Sequence, residues 1–192
     1  MMKNLFLFVS FLLCSSLAFA IENDSVAPEF TLETASGEKV SLSDYAGKTV
    51  VLEWVNPFCP FVKKFYSVGA MQDFQKKAQE KGVVWISINS TNPDHGDYLN
   101  DEATLEYIED NKIPSIWLKD LDGSVGKLYD AKRTPHMFVI SPEGKIVYQG
   151  AIDSVRDANP DSIAGAENYV LEAIGGGEFT TETRPYGCSI KY

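Results

Sequence analysis

Residues 49–64 read TVVLEWVNPFCPFVKK, and the way this stretch folds decides the rest of the chain. Thr49 to Val55 is apolar apart from Glu53, as in a central strand buried on both faces rather than one alternating between core and water. Pro60, well tolerated in a first helical turn, opens a helix directly after Cys59. Apolar residues Phe61, Phe65, Val68, Met71, Phe74 and Ala78 recur at spacings of three and four, which predicts that this helix continues to about Glu80 before Lys81-Gly82 ends it. Cys59 therefore sits at the mouth of a strand-to-helix turn. Lys63 and Lys64, just inside the helix, read as solvated.

The flanking segments extend this pattern. FTLET and KVSLS lie on either side of a Ser-Gly turn and predict a β-hairpin. VVWISINS is a further strand, followed by the polar loop TNPDHGDYLND and an amphipathic helix with Leu105 and Ile108 on one face. SIWLKD reads as a strand, and DGSVGKLYDAK as a turn with a short helix. HMFVIS and IVYQGAI, joined by PEGK, predict an antiparallel pair, and a last helix runs from about Ser162 to Ile174 before three glycines. The tail EFTTETRPYGCSIKY has no helical period. Together these elements predict an α/β fold, a central mixed sheet with helices on both faces and an N-terminal hairpin.

Composition narrows the function classes. The chain has 192 residues, 44% of them hydrophobic and 12% aromatic, enough for one domain with a full core. It begins MMKNLFLFVSFLLCSSLAFA, where Lys3, the apolar run Leu5 to Leu13 and the small-x-small end at Ala18 to Ala20 form the three parts of a secretory signal, too short for a comfortable membrane span. A rival reading makes Cys14 an acylated cysteine, but Leu13 occupies the place where a small residue is expected. The predicted organisation is a signal peptide at 1–20, one domain at 21–176 and a tail at 177–192 carrying Cys188. A formal charge of −10 argues against nucleic acid or an anionic membrane surface as partner. Two scattered histidines, His95 and His136, make a poor metal set, so no metal is expected. No glycine-rich phosphate loop is present, so no organic cofactor is expected either. Without the signal, Cys59 and Cys188 remain, an even pair that an oxidising compartment is expected to join at least part of the time.

In their order and spacing, TVVLEWVNPFCPFVKK, RTPHMFVISPEGKIVYQG and PYGCSIKY resemble the thioredoxin-fold redoxins, specifically the exported peroxiredoxin-like and thioredoxin-like proteins of the alkyl hydroperoxide reductase / thiol-specific antioxidant superfamily. The resemblance implies a thioredoxin-like fold and a periplasmic, thiol-dependent oxidoreductase. Its partners would be protein thiols and disulfides or small peroxides, together with a periplasmic reductant. Cys59 would be the nucleophile, its thiolate favoured by the free N–H groups of the helix start. Glu53 would be a buried carboxylate that shuttles protons, its pKa raised by burial. Thr134-Pro135 would be a cis bond against the active-site sulfur, offering the Thr134 backbone to an extended substrate as one added strand.

Two departures from the family pattern matter. Val62 stands where a second cysteine would complete C-x-x-C. Asn56 and Leu52 stand where the peroxidase pattern P-x-x-x-T-x-x-C has threonine and proline, which leaves a weak thiol peroxidase as the alternative activity. Cys188 is then the expected distal redox partner of Cys59. Two other readings stay open: a Cys59–Cys188 bond that only staples the tail, and a binding module that uses the Thr134-Pro135 groove without turnover. His136 reads as a packed strand residue, Trp54 as core, and Arg133 as a group that could orient an anionic substrate.

Overall fold

The computed structural model describes residues 22–192. The predicted signal segment at 1–20, with Cys14, lies outside the described residues. Along the chain the elements are β1 (Thr31–Glu33), β2 (Lys39–Ser41), β3 (Val50–Trp54), α1 (Pro60–Tyr66), α2 (Ala70–Glu80), β4 (Val84–Asn89), α3 (Asp101–Asp110), β5 (Ile116–Lys119), α4 (Ser124–Leu128), β6 (Arg133–Thr134), β7 (His136–Ile140), β8 (Ile146–Gly150), α5 (Tyr169–Ala173) and β9 (Cys188–Ser189). A seven-stranded sheet has the order β2-β1-β5-β4-β3-β7-β8, and β6 pairs separately with β9.

β3 lies in the interior of the sheet, parallel to β4 and antiparallel to β7, and all five of its residues are buried. Alternation along it divides the core into two layers. Val51 and Val55 join Trp85, Trp117, Met137 and Val139 beneath Val62, Phe65, Met71 and Ala78 of α1 and α2. Val50, Leu52 and Trp54 join Ile86, Ile88, Leu118 and Phe138 on the other face, where Phe30, Val125 and Tyr129 cover them. The mixed sheet covered on both faces and the antiparallel β1–β2 hairpin agree with the architecture expected from the sequence.

Three details of the sequence reading need correction. The single helix predicted from Pro60 to about Glu80 is two, broken at Ser67–Gly69. Gly69 takes a φ of 78° as the cap of α2, a left-handed conformation that glycine adopts without steric cost. Val68, expected on the apolar face, is consequently 57% exposed. In α3, Leu105 faces out, and the inward side is formed by buried Thr104 together with Tyr107 and Ile108. The predicted last helix is a 3-10 turn at Pro160–Gly165 followed by the short α5. Asn168 starts α5 afresh by accepting the N–H of Leu171 at 2.9 Å, a side-chain cap of the usual kind. No helix among the described residues is long and apolar enough to cross a membrane.

Candidate functional site

The turn before α1 is built by Asn56. Its Oδ1 accepts the Phe58 N–H at 2.7 Å and its carbonyl accepts the Cys59 N–H at 3.1 Å, while its Nδ2 donates to Asp97 at 3.0 Å. The residue standing where the peroxidase pattern has threonine thus shapes the loop through an Asx-type turn. Cys59 caps α1 and is only 2% exposed. Its Sγ donates to the backbone carbonyl of Thr134 at 3.0 Å. The Thr134-Pro135 peptide bond is cis, and the Thr134 hydroxyl is buried with no hydrogen-bond partner.

The edge of Thr134 is already occupied. Cys188 pairs with Thr134 and Ser189 with Arg133 in a short antiparallel ribbon, so the chain's own tail lies where the resemblance places an added substrate strand. Gly187 makes this approach possible. It has a φ of 124°, and a Cβ there would collide with the Thr134 carbonyl. Both cysteines are free thiols, Cys59 buried and Cys188 partly exposed. Desolvation and then the adjacent Cys59 thiol, to which it is hydrogen-bonded, push the Cys188 pKa up to about 12.

The tail is fastened on both sides of this crossing. Before it, Thr183 Oγ1 hydrogen-bonds with Tyr148 Oη at 2.6 Å and accepts the Ala151 N–H at 2.8 Å. Tyr186 packs edge-on against Phe61, with ring centroids 5.8 Å apart, and donates its hydroxyl to Asp153. After it, Asn92 N donates to the Lys191 carbonyl at 2.7 Å, and Tyr192 donates to the Ala131 carbonyl at 2.9 Å.

Glu53 lies on the same sheet face as α1 and is fully buried. Trp85 Nε1 donates to it at 2.9 Å, Ser87 Oγ at 3.0 Å, Tyr66 Oη at 3.1 Å and Gln75 Nε2 at 3.4 Å. Burial outweighs these donors and raises its pKa to about 7, near the value that proton transfer at neutral pH requires. Tyr66 belongs to α1, so Glu53 is tied to the helix that Cys59 caps. Its four partners do not include a cysteine.

Lys64 overturns the reading of a solvated pair of lysines. Lys63 is exposed, but Lys64 is 1% exposed. Its Nζ lies 3.1 Å from Asp153, 3.4 Å from Asp157 and 2.8 Å from the Val155 carbonyl. Sequence reasoning assigned Lys64 to solvent and missed Asp153 and Tyr186 altogether. The one available signal was that Lys64 falls three residues after Phe61, on the inward stripe of the helix.

His136 is a packed strand residue. Its Nδ1 accepts the Lys132 N–H at 3.2 Å, and burial lowers its pKa to about 3. Arg133 lies in β6 and, with Lys132 and Arg184, lines a surface pocket of about 440 Å³. No cluster of three or more potential metal-ligating side chains occurs among the described residues.

The model of the AhpC/TSA family matches residues 24–149. Thiol-disulfide oxidoreductase ResA of Bacillus subtilis (strain 168) is 29% identical over 128 residues, 67% of this chain. The match spans 66% of that relative's own length, just under two thirds. ResA of Bacillus thuringiensis subsp. konkukian is 24% identical over 163 residues, covering 78% of this chain and 89% of the relative. Among solved structures, an uncharacterized conserved protein from Geobacillus kaustophilus superposes with a TM-score of 0.75 at 27% identity, covering 90% of this chain and 93% of that one. A putative thiol:disulfide interchange protein DsbE from Chlorobium tepidum superposes with a TM-score of 0.55 at 23% identity, over 81% of this chain and 99% of that one, a likeness of fold.

Proposed function

Because the chain belongs to the AhpC/TSA family and is a thioredoxin-fold redoxin, we propose that it is a thiol-disulfide oxidoreductase working through a reversible Cys59–Cys188 bond in the periplasm. The observation that carries this reading is the pairing of Thr134 with Cys188 above the carbonyl to which Cys59 donates. That register brings together two sulfurs far apart in sequence, and it supplies the second cysteine that Val62 does not. The ResA relatives, thiol-disulfide oxidoreductases by name, support the same chemistry. The signal-like segment at 1–20 supports export.

In this reading Cys59 is the nucleophile of the internal bond and Cys188 its redox partner. Glu53 accepts or supplies a proton through the polar cluster beneath α1. The backbone at Thr134-Pro135 aligns the strand that carries the second sulfur. The substrates are protein thiols and disulfides, regenerated by a periplasmic reductant. A small peroxide is the alternative oxidant, and its reaction lacks the threonine of the peroxidase pattern at Asn56.

Mild oxidation of the reduced protein should consume both thiols and yield one internal disulfide, read by peptide mass mapping. Cys59→Ser and Cys188→Ser should each abolish turnover of a dithiol substrate. Two thiols that stay free under oxidant, or full turnover by Cys188→Ser, would end the proposal.

A further inference from the structure

Given the reversible Cys59–Cys188 bond proposed above, we infer that exchange partners meet the protein at Cys188, and that Cys59 reacts only with Cys188 across the internal bond. In the arrangement expected of a C-x-x-C turn, the sulfur at the turn is the one that faces the partner. Here the exposure of the two sulfurs is inverted. Cys59 is 2% exposed and Thr134, which lies against it, is also 2% exposed. Cys188 is partly exposed, and its neighbour Ser189 is exposed.

Displacement at sulfur is close to collinear, so an incoming thiolate must approach along the extension of the bond that it breaks. An approach from solvent onto Cys188 has Cys59 behind it as the leaving sulfur. The opposite approach, onto Cys59, would start from inside the apolar layer of Val55, Val62 and Phe65 to which Cys59 belongs. The tail cannot easily step aside to change this. It is secured by Thr183 and Tyr186 before Cys188 and by Lys191 and Tyr192 after it.

The chemistry closes on these two sulfurs and a dithiol partner. The partner's thiolate attacks Cys188 Sγ, the Cys59–Cys188 bond breaks, and Cys59 leaves as a thiolate and takes up a proton. The partner's second thiol, as its thiolate, then attacks the partner sulfur of the mixed disulfide, and Cys188 leaves and is protonated. The partner loses two electrons and two protons and becomes a disulfide, and the protein's two thiols hold them. In the reverse direction Cys188 attacks a partner disulfide and Cys59 resolves the mixed bond.

The test uses the full chain, oxidised to the internal disulfide and mixed with glutathione as the thiol probe. Samples are quenched rapidly in acid, capped with a maleimide and mapped as peptides. Glutathione should appear on the peptide carrying Cys188, with maleimide on Cys59, in at least tenfold excess over the reverse pattern. Equal amounts, or glutathione mainly on Cys59, would overturn the inference while leaving the proposed activity intact. If no internal disulfide forms at all, both fall together.

Discussion

Two buried polar clusters bear on α1, and they are opposites in charge. Around Glu53 a carboxylate is surrounded by neutral donors from Tyr66, Gln75, Trp85 and Ser87, with no cation among its hydrogen-bond partners. Around Lys64 an ammonium is matched by Asp153 and Asp157. A buried carboxyl without a counter-charge remains free to gain or lose its proton near neutrality. A buried ion pair is fixed, because removing either member leaves an uncompensated charge. The first cluster is suited to proton transfer. The second is a strut, and through Tyr186 and Asp153 it braces the tail that carries Cys188.

The largest test of this contrast is Lys64→Met. It leaves the Asp153 carboxylate buried without its cation and should lower stability by about 3–5 kcal/mol in urea denaturation at pH 7. An unchanged midpoint would mean that Lys64 is not a structural counter-ion.

The Glu53 cluster should instead reveal itself through pH. Its folded pKa of about 7 lies above the ordinary value of 4.5, so the folded state binds the proton more tightly than the unfolded one. Its contribution is therefore fully present below pH 4.5 and is lost as pH rises through 7. The full shift corresponds to roughly 3 kcal/mol at 1.36 kcal/mol per pKa unit. Glu53→Gln should flatten the stability profile between pH 4.5 and 7, and an unaltered slope would remove Glu53 as the titrating group.

Tyr186→Phe is the mildest probe. It deletes one hydrogen bond to a charged acceptor and should cost about 1.5–3 kcal/mol. It should also slow formation of the internal disulfide, because the segment holding Cys188 loses one anchor. Equal rates of disulfide formation in Tyr186→Phe and the wild type would separate the strut from the thiol pair.

The run Thr49 to Val55 announced a central strand because burial on both faces leaves only an apolar composition, and the lone Glu53 stood out against it. The β1–β2 and β7–β8 hairpins were legible for a similar local reason, since turn residues sit between strand-like flanks. What escaped was set by long-range partners. Lys64 and Asp153 are 89 residues apart, and nothing local to either marks them as a pair. The pairing of Cys188 with Thr134 was equally hidden, because a two-residue ribbon has no period to detect. The break at Ser67–Gly69 was missed although Gly69 signalled it, because the apolar spacing runs through the interruption without a gap.

The tail also shields the flank of β8, the outermost strand of the sheet on that side. Glu182 bridges to Gln149, and Gln149 exchanges backbone hydrogen bonds with Thr181 and Thr183 at 3.1 and 3.0 Å. Peeling this segment away would bare a row of unsatisfied amides and carbonyls, the kind of edge along which separate molecules zip together. The same fifteen or so residues that carry Cys188 thus act as a guard against clumping, and damage to their anchoring should show itself as turbidity.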